Sequence, residues 1–121
     1  MNLGALLTTV ALVLIAGVAH AEVLFTQPIA VGTNQTIVCR IANVGAQERT
    51  VSITVIDSTG GTVTSSGDLS IPSGQTAALA AVSLSQSYCK FSVERSKTAF
   101  RAGASLRDST TGIDFFAGSA N

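Results

Sequence analysis

The sequence predicts an all-β fold, an antiparallel sandwich of two sheets with about seven to nine strands. Three observations carry this prediction. Apolar and polar side chains alternate over short runs, which is the pattern of strands with one buried face. Turn-forming residues separate these runs at intervals of about 8–12 residues. Ser, Thr, Val and Ile are abundant, whereas no run has the periodicity of an amphipathic helix.

Residues 1–21 predict a signal peptide. They contain no charged side chain and end in Ala19-His20-Ala21, and signal peptidase accepts small residues at the first and third positions of such a triplet. The apolar run is short of the ~20 residues that span a bilayer, which favours cleavage over an uncleaved anchor. We therefore expect residues 22–121 to form a single domain that is secreted or periplasmic, with no membrane attachment after cleavage.

The first half of this domain contains the clearest strands. Glu22 to Val31 is irregular and includes Pro28, which cannot donate to a central ladder, so the segment belongs at an edge. Gln35 to Asn43 and Thr50 to Asp57 alternate cleanly. The side chains predicted to point inward on these two strands are Ile37, Cys39, Ile41, Val51, Ile53 and Val55.

The second half continues the strand pattern. Thr62 to Ser66 is short and polar, which favours another edge position. Thr76 to Leu84 is rich in alanine, a composition that a helix would also tolerate, and we interpret it as a strand. Ser87 to Glu94 and Ala99 to Arg107 alternate again, and Ile113 to Ala117 is the last predicted strand.

The two cysteines, Cys39 and Cys89, both fall on inward positions of their strands. Thiols of an exported protein usually pair, so we expect a disulfide between them. Its role would be structural, because a redox site would want a CxxC-like spacing. The alternative is a pair of buried free thiols that act as small apolar residues.

Two turns carry a family resemblance. Asn43-Val44-Gly45 ends one strand, and a later strand is entered through Leu69-Ser70-Ile71-Pro72-Ser73-Gly74-Gln75. Over most of residues 35–107 the chain resembles bacterial immunoglobulin-like and fibronectin type III-like sandwiches of the cell-adhesion-related (CARDB-like) type. The resemblance implies an immunoglobulin-like sandwich in which the disulfide joins the two sheets. It implies no functional residues.

Composition excludes several classes of function. The only histidine, His20, lies in the predicted signal peptide, so histidine-dependent nucleophiles and histidine metal sites are excluded from the mature domain. Seven basic and seven acidic side chains cancel, which leaves no global field to attract nucleic acid. Only Tyr88 and one of Phe115 and Phe116 are predicted to face outward, so carbohydrate binding is disfavoured. We expect no cofactor and no metal.

Basic side chains are concentrated in residues 86–108. This segment contains five basic and two acidic residues, which gives a net charge of +3. The rest of the predicted domain contains two basic and five acidic residues, a net charge of −3. Lys90, Arg101 and Arg107 fall on outward positions of two strands that we expect to be neighbours. Together with Tyr88 they predict a binding face for an acidic protein partner or for a second copy. The alternative is a solvated face whose charges discourage edge pairing.

These observations favour a non-catalytic structural or protein-interaction module outside the cytoplasm. One alternative is a pilin-like subunit that assembles by strand donation, with Glu22 to Val31 as the donated strand. That alternative is favoured if residues 35–117 hold a complete set of strands, which would leave the donated strand spare. A more remote alternative is a small hydrolase, which would need two of the scattered carboxylates to face each other across a cleft.

The predicted cleavage site fixes the first residue of the exported protein. We expect this protein to begin at Glu22, because Ala19 and Ala21 fit the peptidase. An intact-mass measurement of the protein from the extracellular or periplasmic fraction reads this directly. A mass that includes residues 1–21 would identify the segment as an anchor instead.

Overall fold

The computed structural model describes residues 21–83 and 85–121. The predicted signal peptide, apart from Ala21, lies outside the described residues. The described chain forms nine strands and one short 3-10 helix, Lys97–Ala99. The strands are β1 Ala21–Phe25, β2 Ile29–Ala30, β3 Gln35–Asn43, β4 Arg49–Asp57, β5 Thr62–Ile71, β6 Thr76–Ala81, β7 Gln86–Glu94, β8 Phe100–Asp108 and β9 Asp114–Ser119. Over these two ranges, no helix is long and apolar enough to cross a membrane.

The strands form two antiparallel sheets that pack as a sandwich. The first sheet has the order β1-β7-β4-β5, with β2 also paired to β7, and the second has the order β6-β3-β8-β9. The predicted all-β sandwich of two antiparallel sheets is therefore confirmed. The two expected edge positions are also confirmed, since β1 and β5 are the outer strands of the first sheet. The alanine-rich segment is a strand, β6, at an edge of the second sheet.

The core lies between the sheets and is built by the alternation of each strand. All six side chains predicted to point inward on β3 and β4 are buried, and they share one cluster with Phe91 and Val93 of β7. Burying a Val or Ile side chain of this kind contributes about 1.5–3 kcal/mol. The period-2 pattern of the sequence thus translates directly into the packed face of each sheet.

The predicted disulfide is present and joins the two sheets. Cys39 of β3 and Cys89 of β7 are bonded, with their Cα atoms 5.9 Å apart and both side chains buried. β3 and β7 are interior strands of their sheets, so the bond connects the middle of one sheet to the middle of the other. The Thr26 hydroxyl adds a contact here, because it accepts a hydrogen bond from the Cys89 amide at 2.9 Å.

A buried amide side chain holds one end of the sandwich together. Asn43, the last residue of β3, donates from Nδ2 to the carbonyl oxygens of Gln47 (2.7 Å) and Ile71 (2.9 Å), and its Oδ1 accepts from the Gly45 amide (3.0 Å). Its backbone N–H also donates to the Gln75 carbonyl at 2.9 Å. The two turns that carry the family resemblance are therefore one hydrogen-bonded unit.

The structure corrects one expectation about strand neighbours. β7 and β8 do not pair: β7 lies between β1 and β4, whereas β8 lies between β3 and β9 in the other sheet. Arg95 has a positive φ of 64° and is followed by the 3-10 helix, so the chain crosses to the second sheet instead of forming a hairpin. In immunoglobulin domains the strand that carries the second cysteine and the strand after it share a sheet. The strand order here differs at β8.

The N-terminal segment is not spare. β1 and β2 both pair with β7 of the same chain, and Leu24, Ile29 and Val31 are buried in the common core. The opposite edge of β1 is also engaged at one position, where Phe25 and Asn121 exchange two backbone hydrogen bonds of 2.8 and 3.0 Å. The condition that would have favoured a donated strand is therefore not met in this structure.

The disulfide should be a large part of the free energy of unfolding. Replacing both Cys39 and Cys89 with Ala should lower it by about 4 kcal/mol, because the bond closes a sequence separation of 50 residues in the unfolded chain. Urea unfolding of the variant and of the wild-type protein measures the difference. Reduced wild-type protein serves as the control and should match the variant. A loss below about 1 kcal/mol would show that the core alone fixes the sheet stacking.

Candidate interaction surface

The four residues of the predicted binding face lie on two different sheets. Tyr88 and Lys90 are on β7 of the first sheet, and Arg101 and Arg107 are on β8 of the second. Outward side chains of the two sheets of a sandwich point in opposite directions. The expectation that the four share one face is therefore wrong, and the reason is the crossing between β7 and β8.

Arg107 takes part in an ion-paired cluster on the second sheet. Its Nε donates to Asp114 Oδ1 at 2.9 Å, and Arg40 Nη1 donates to Asp114 Oδ2 at 2.8 Å. The Ser105 hydroxyl lies between them, accepting from Arg40 and donating to Asp114, each at 3.2 Å. These side chains come from three adjacent strands, β3, β8 and β9. The cluster thus ties the start of β9 to the rest of the sheet.

The cluster favours the ionised form of Asp114. Hydrogen bonds from Arg107 and then Arg40 hold the pKa of this carboxyl below its ordinary value, because both stabilise the ionised form. The carboxylate in turn neutralises one of two guanidinium groups. Partly exposed pairs of this kind contribute little to stability individually, so the role we assign to the cluster is fixing strand register. The pairing of β8 with β9 has a register shift at this point, between Leu106 and Arg107 of β8.

Arg101 is also engaged locally. Its Nη1 donates to the carbonyl oxygens of Thr98 (3.3 Å) and Phe100 (2.9 Å), so the guanidinium folds back on its own chain. With Arg107 bound to Asp114, the second sheet does not present the basic residues in the way that the sequence predicted. Sequence reasoning missed the cluster because Arg40 and Asp114 are 74 residues apart. The outward position of Arg40 on β3 was the only local signal.

The first sheet presents an aromatic surface that the sequence only half predicted. Phe25 of β1 is 46% exposed, and its ring centroid lies 6.1 Å from that of Tyr88 with an interplanar angle of 56°. Phe25 is the cross-strand partner of Lys90, and Tyr88 is the partner of Ile56 on β4. We call Val23, Phe25, Ile56, Tyr88 and Lys90 the β1–β7 surface.

The expectation about outward aromatic side chains needs one correction. Phe25 faces outward and was missed, because Pro28 made the N-terminal segment look irregular as a whole. Val23, Leu24 and Phe25 are consecutive apolar residues, so apolar–polar alternation could not show that Leu24 is buried and the other two are exposed. The side chains of Phe115 and Phe116 lie outside the described residues.

A shallow cleft borders the β1–β7 surface and is lined by residues of the turn after β4. The carboxylate in this cleft belongs to Asp57, the last residue of β4. Its Oδ1 accepts hydrogen bonds from the Thr59 amide (2.9 Å), the Thr59 hydroxyl (2.6 Å) and the Gly61 amide (3.0 Å). The Thr59 hydroxyl first, and then the Gly61 and Thr59 amides, lower the pKa of Asp57. Pro28, Gln86 and Tyr88 line the other side.

The surroundings of Asp57 do not favour a general acid near neutral pH. A general acid near neutral pH needs a raised pKa, whereas that of Asp57 is lowered. The cleft lining supplies this one carboxylate, and a two-carboxylate hydrolysis needs a facing pair. Among the residues that the structure describes, no group of three or more His, Cys, Asp or Glu is placed to hold a metal ion.

Comparison of the chain with protein-family models, with curated proteins and with solved structures found no match. The class of protein is therefore defined by the structure itself. It is a disulfide-linked all-β sandwich, with an exposed aromatic surface on one sheet and an ion-paired cluster on the other.

The lowered pKa of Asp114 predicts a pH-dependent contribution to stability. Because the folded-state pKa lies below the unfolded value, the contribution is present above the unfolded pKa and is lost as pH falls through the folded one. The destabilisation caused by Asp114→Asn should therefore be larger at about pH 6 than at about pH 2. Urea unfolding at both pH values measures it.

The control for this prediction is Asp68→Asn on β5. This strand belongs to the first sheet, whereas Arg40 and Arg107 lie on strands of the second. It measures the effect of exchanging a carboxylate for an amide outside the cluster. An Asp114→Asn effect that is equal at both pH values would contradict a role for the ionised carboxylate.

Proposed function

We propose that this domain is an exported, non-catalytic interaction module that binds a partner protein through the β1–β7 surface. The observation that carries the proposal is the partly exposed Phe25–Tyr88 pair beside Lys90. Aromatic side chains are enriched at the centres of protein interfaces and supply much of their binding energy. The exposed part of the Phe25 side chain is apolar area that a bound partner would remove from water.

The shape of the surface favours a protein over a carbohydrate. The two rings are inclined by 56°, so they do not form the flat platform on which a sugar ring stacks. Val23 extends the apolar area along β1, and Ile56 extends it across to β4. Lys90 and the ionised Asp57 lie around this area with opposite charges, which would orient a partner and select against wrong ones.

The β1–β7 surface lies on strands that are fixed within the fold. Tyr88 and Lys90 flank Cys89, whose side chain points inward and is bonded to the other sheet. β7 is hydrogen-bonded on both sides, by β1 and β2 on one and β4 on the other. A surface that is already ordered loses little conformational entropy on binding, which favours affinity.

The location and class proposed here rest on separate observations. A buried disulfide is typical of oxidising compartments, and the N-terminal segment has the features of a signal peptide, so we assign the domain to the periplasm or the extracellular medium. The turns joined through Asn43 support a relation to immunoglobulin-like adhesion modules. The different placement of β8 makes this a variant order of such a sandwich.

The proposal predicts where a partner can be trapped. A photo-crosslinking phenylalanine analogue at Phe25 should capture a discrete protein in cells that export the domain. The same analogue at Val44, which is exposed in the turn after β3, is the matched control and should capture none. Equal labelling from both positions, or none from Phe25, would contradict binding at the β1–β7 surface.

Affinity for the purified captured protein then tests the individual side chains. Phe25→Ser and Tyr88→Ser should each weaken binding roughly 30-fold, which corresponds to about 2 kcal/mol for a central aromatic residue. Val44→Ser should leave the affinity unchanged within about twofold. Titration calorimetry measures the affinity of all three variants. An equal change of affinity in all three would indicate that the partner does not bind at the β1–β7 surface.

A further inference from the structure

We propose that β6 is a self-association edge, at which the protein pairs with a second copy of itself. In this arrangement, β6 of one molecule lies antiparallel to β6 of the other, and the two four-stranded second sheets become one continuous sheet. The inference concerns the opposite sheet from the β1–β7 surface and does not depend on it.

β6 is an open and unprotected strand edge. It pairs with β3 on one side, and within the described residues no strand pairs with its other side. No charged side chain occurs anywhere in residues 69–89. The outward side chains of β6, Thr76, Ala78 and Ala80, are small and exposed, and Val82 just beyond them is 70% exposed. β6 pairs with β3 without a register shift, and uncharged edges without bulges are templates for pairing with another chain.

The other strand edges in the described chain carry features that discourage pairing. β5 has two register shifts against β4, a positive φ at Gly67 and a charge at Asp68. β9 begins at the ion-paired Asp114 and has a register shift against β8. β1 is capped at Phe25 by its backbone hydrogen bonds with Asn121. Bulges, charges and covering segments are the usual protections of edges, and β6 lacks them.

The lack of charge favours a second copy as the occupant. A charged peptide would find no complementary side chain along β6. In a two-fold arrangement each residue meets the same segment of the partner, so like charges would repel, and here there are none. Pairing centred on Ala78 places Thr76 opposite Ala80 of the second copy. All opposed residues then share a face, so both cores continue on the same side.

The contact should be weak and reversible. β6 has six residues and spans about 20 Å, so the interface is smaller than the ~1,600 Å² of a typical stable complex. We expect monomers at about 1 µM and dimers towards about 1 mM. Such a dimer would leave both β1–β7 surfaces free, and two linked copies would bind a multivalent partner more tightly than one.

Sedimentation velocity over a concentration series tests the proposal with the purified exported protein. Ala80→Lys should weaken dimerisation at least about tenfold, because the edge lysine must lose solvation when it packs opposite Thr76 of the second copy. The matched control is Ser70→Lys, an exposed position on edge strand β5, which should dimerise like the wild type. Wild-type protein that stays monomeric at about 1 mM would overturn the proposal. Equal effects of the two lysines would also overturn it.

A cross-link provides a second readout that does not depend on how the lysine variant folds. Ala78→Cys should form a disulfide-linked dimer under mild oxidation, because directly opposed Cα atoms in an antiparallel pair lie about 4.5–5.5 Å apart, within disulfide reach. Ser70→Cys should not cross-link at the same rate. The native Cys39–Cys89 bond is buried and does not compete. Equal cross-linking at both positions would show that encounters at β6 are random.

Discussion

The covalent link between β3 and β7 is the constraint on which the remaining structure depends. Each cysteine lies on an interior strand, so the bond fixes the stacking of the sheets at their middle and not at a seam. The buried residues of β3, β4 and β7 surround it in one cluster. Tyr88 and Lys90 lie on the outer side of β7 on either side of Cys89. The bond that holds the core therefore also fixes the position of the aromatic surface.

The crossing from β7 to β8 decides which basic side chains lie on each outer face of the sandwich. A segment rich in basic residues is divided by the 3-10 helix, which sends Arg101 and Arg107 to the sheet opposite Lys90. On the second sheet, Arg107 meets a carboxylate and becomes part of the scaffold. On the first sheet, Lys90 stays beside the rings of Phe25 and Tyr88. One sheet thus has a face whose charges stabilise its own strands, and the other has a face open to a partner.

The sequence predicts those parts of the fold that depend on local pattern. Alternation identified the inward residues of β3 and β4, because an inward position depends only on spacing along one strand. The inward positions of Cys39 on β3 and Cys89 on β7 predicted the disulfide for the same reason. Strand order is different, since a strand pattern does not encode its neighbour, and the expected pairing of β7 with β8 was wrong for that reason. The Arg40–Asp114 pair was not predictable either, because it requires the registers of three strands. Phe25 was hidden by the irregular residues that follow it.

The geometry of Asn43 has a consequence for the chemical ageing of the protein. Deamidation converts an asparagine to an acid through attack on the side-chain amide carbon by the next backbone nitrogen, which requires the amide to rotate freely. Here the amide is buried and held by two carbonyl acceptors and one N–H donor. The product would place a carboxylate oxygen against the carbonyl oxygens of Gln47 and Ile71, a buried repulsion that the one N–H donor, from Gly45 to the other oxygen, does not relieve. The same hydrogen bonds that join the two turns therefore protect this asparagine from the reaction that would separate them.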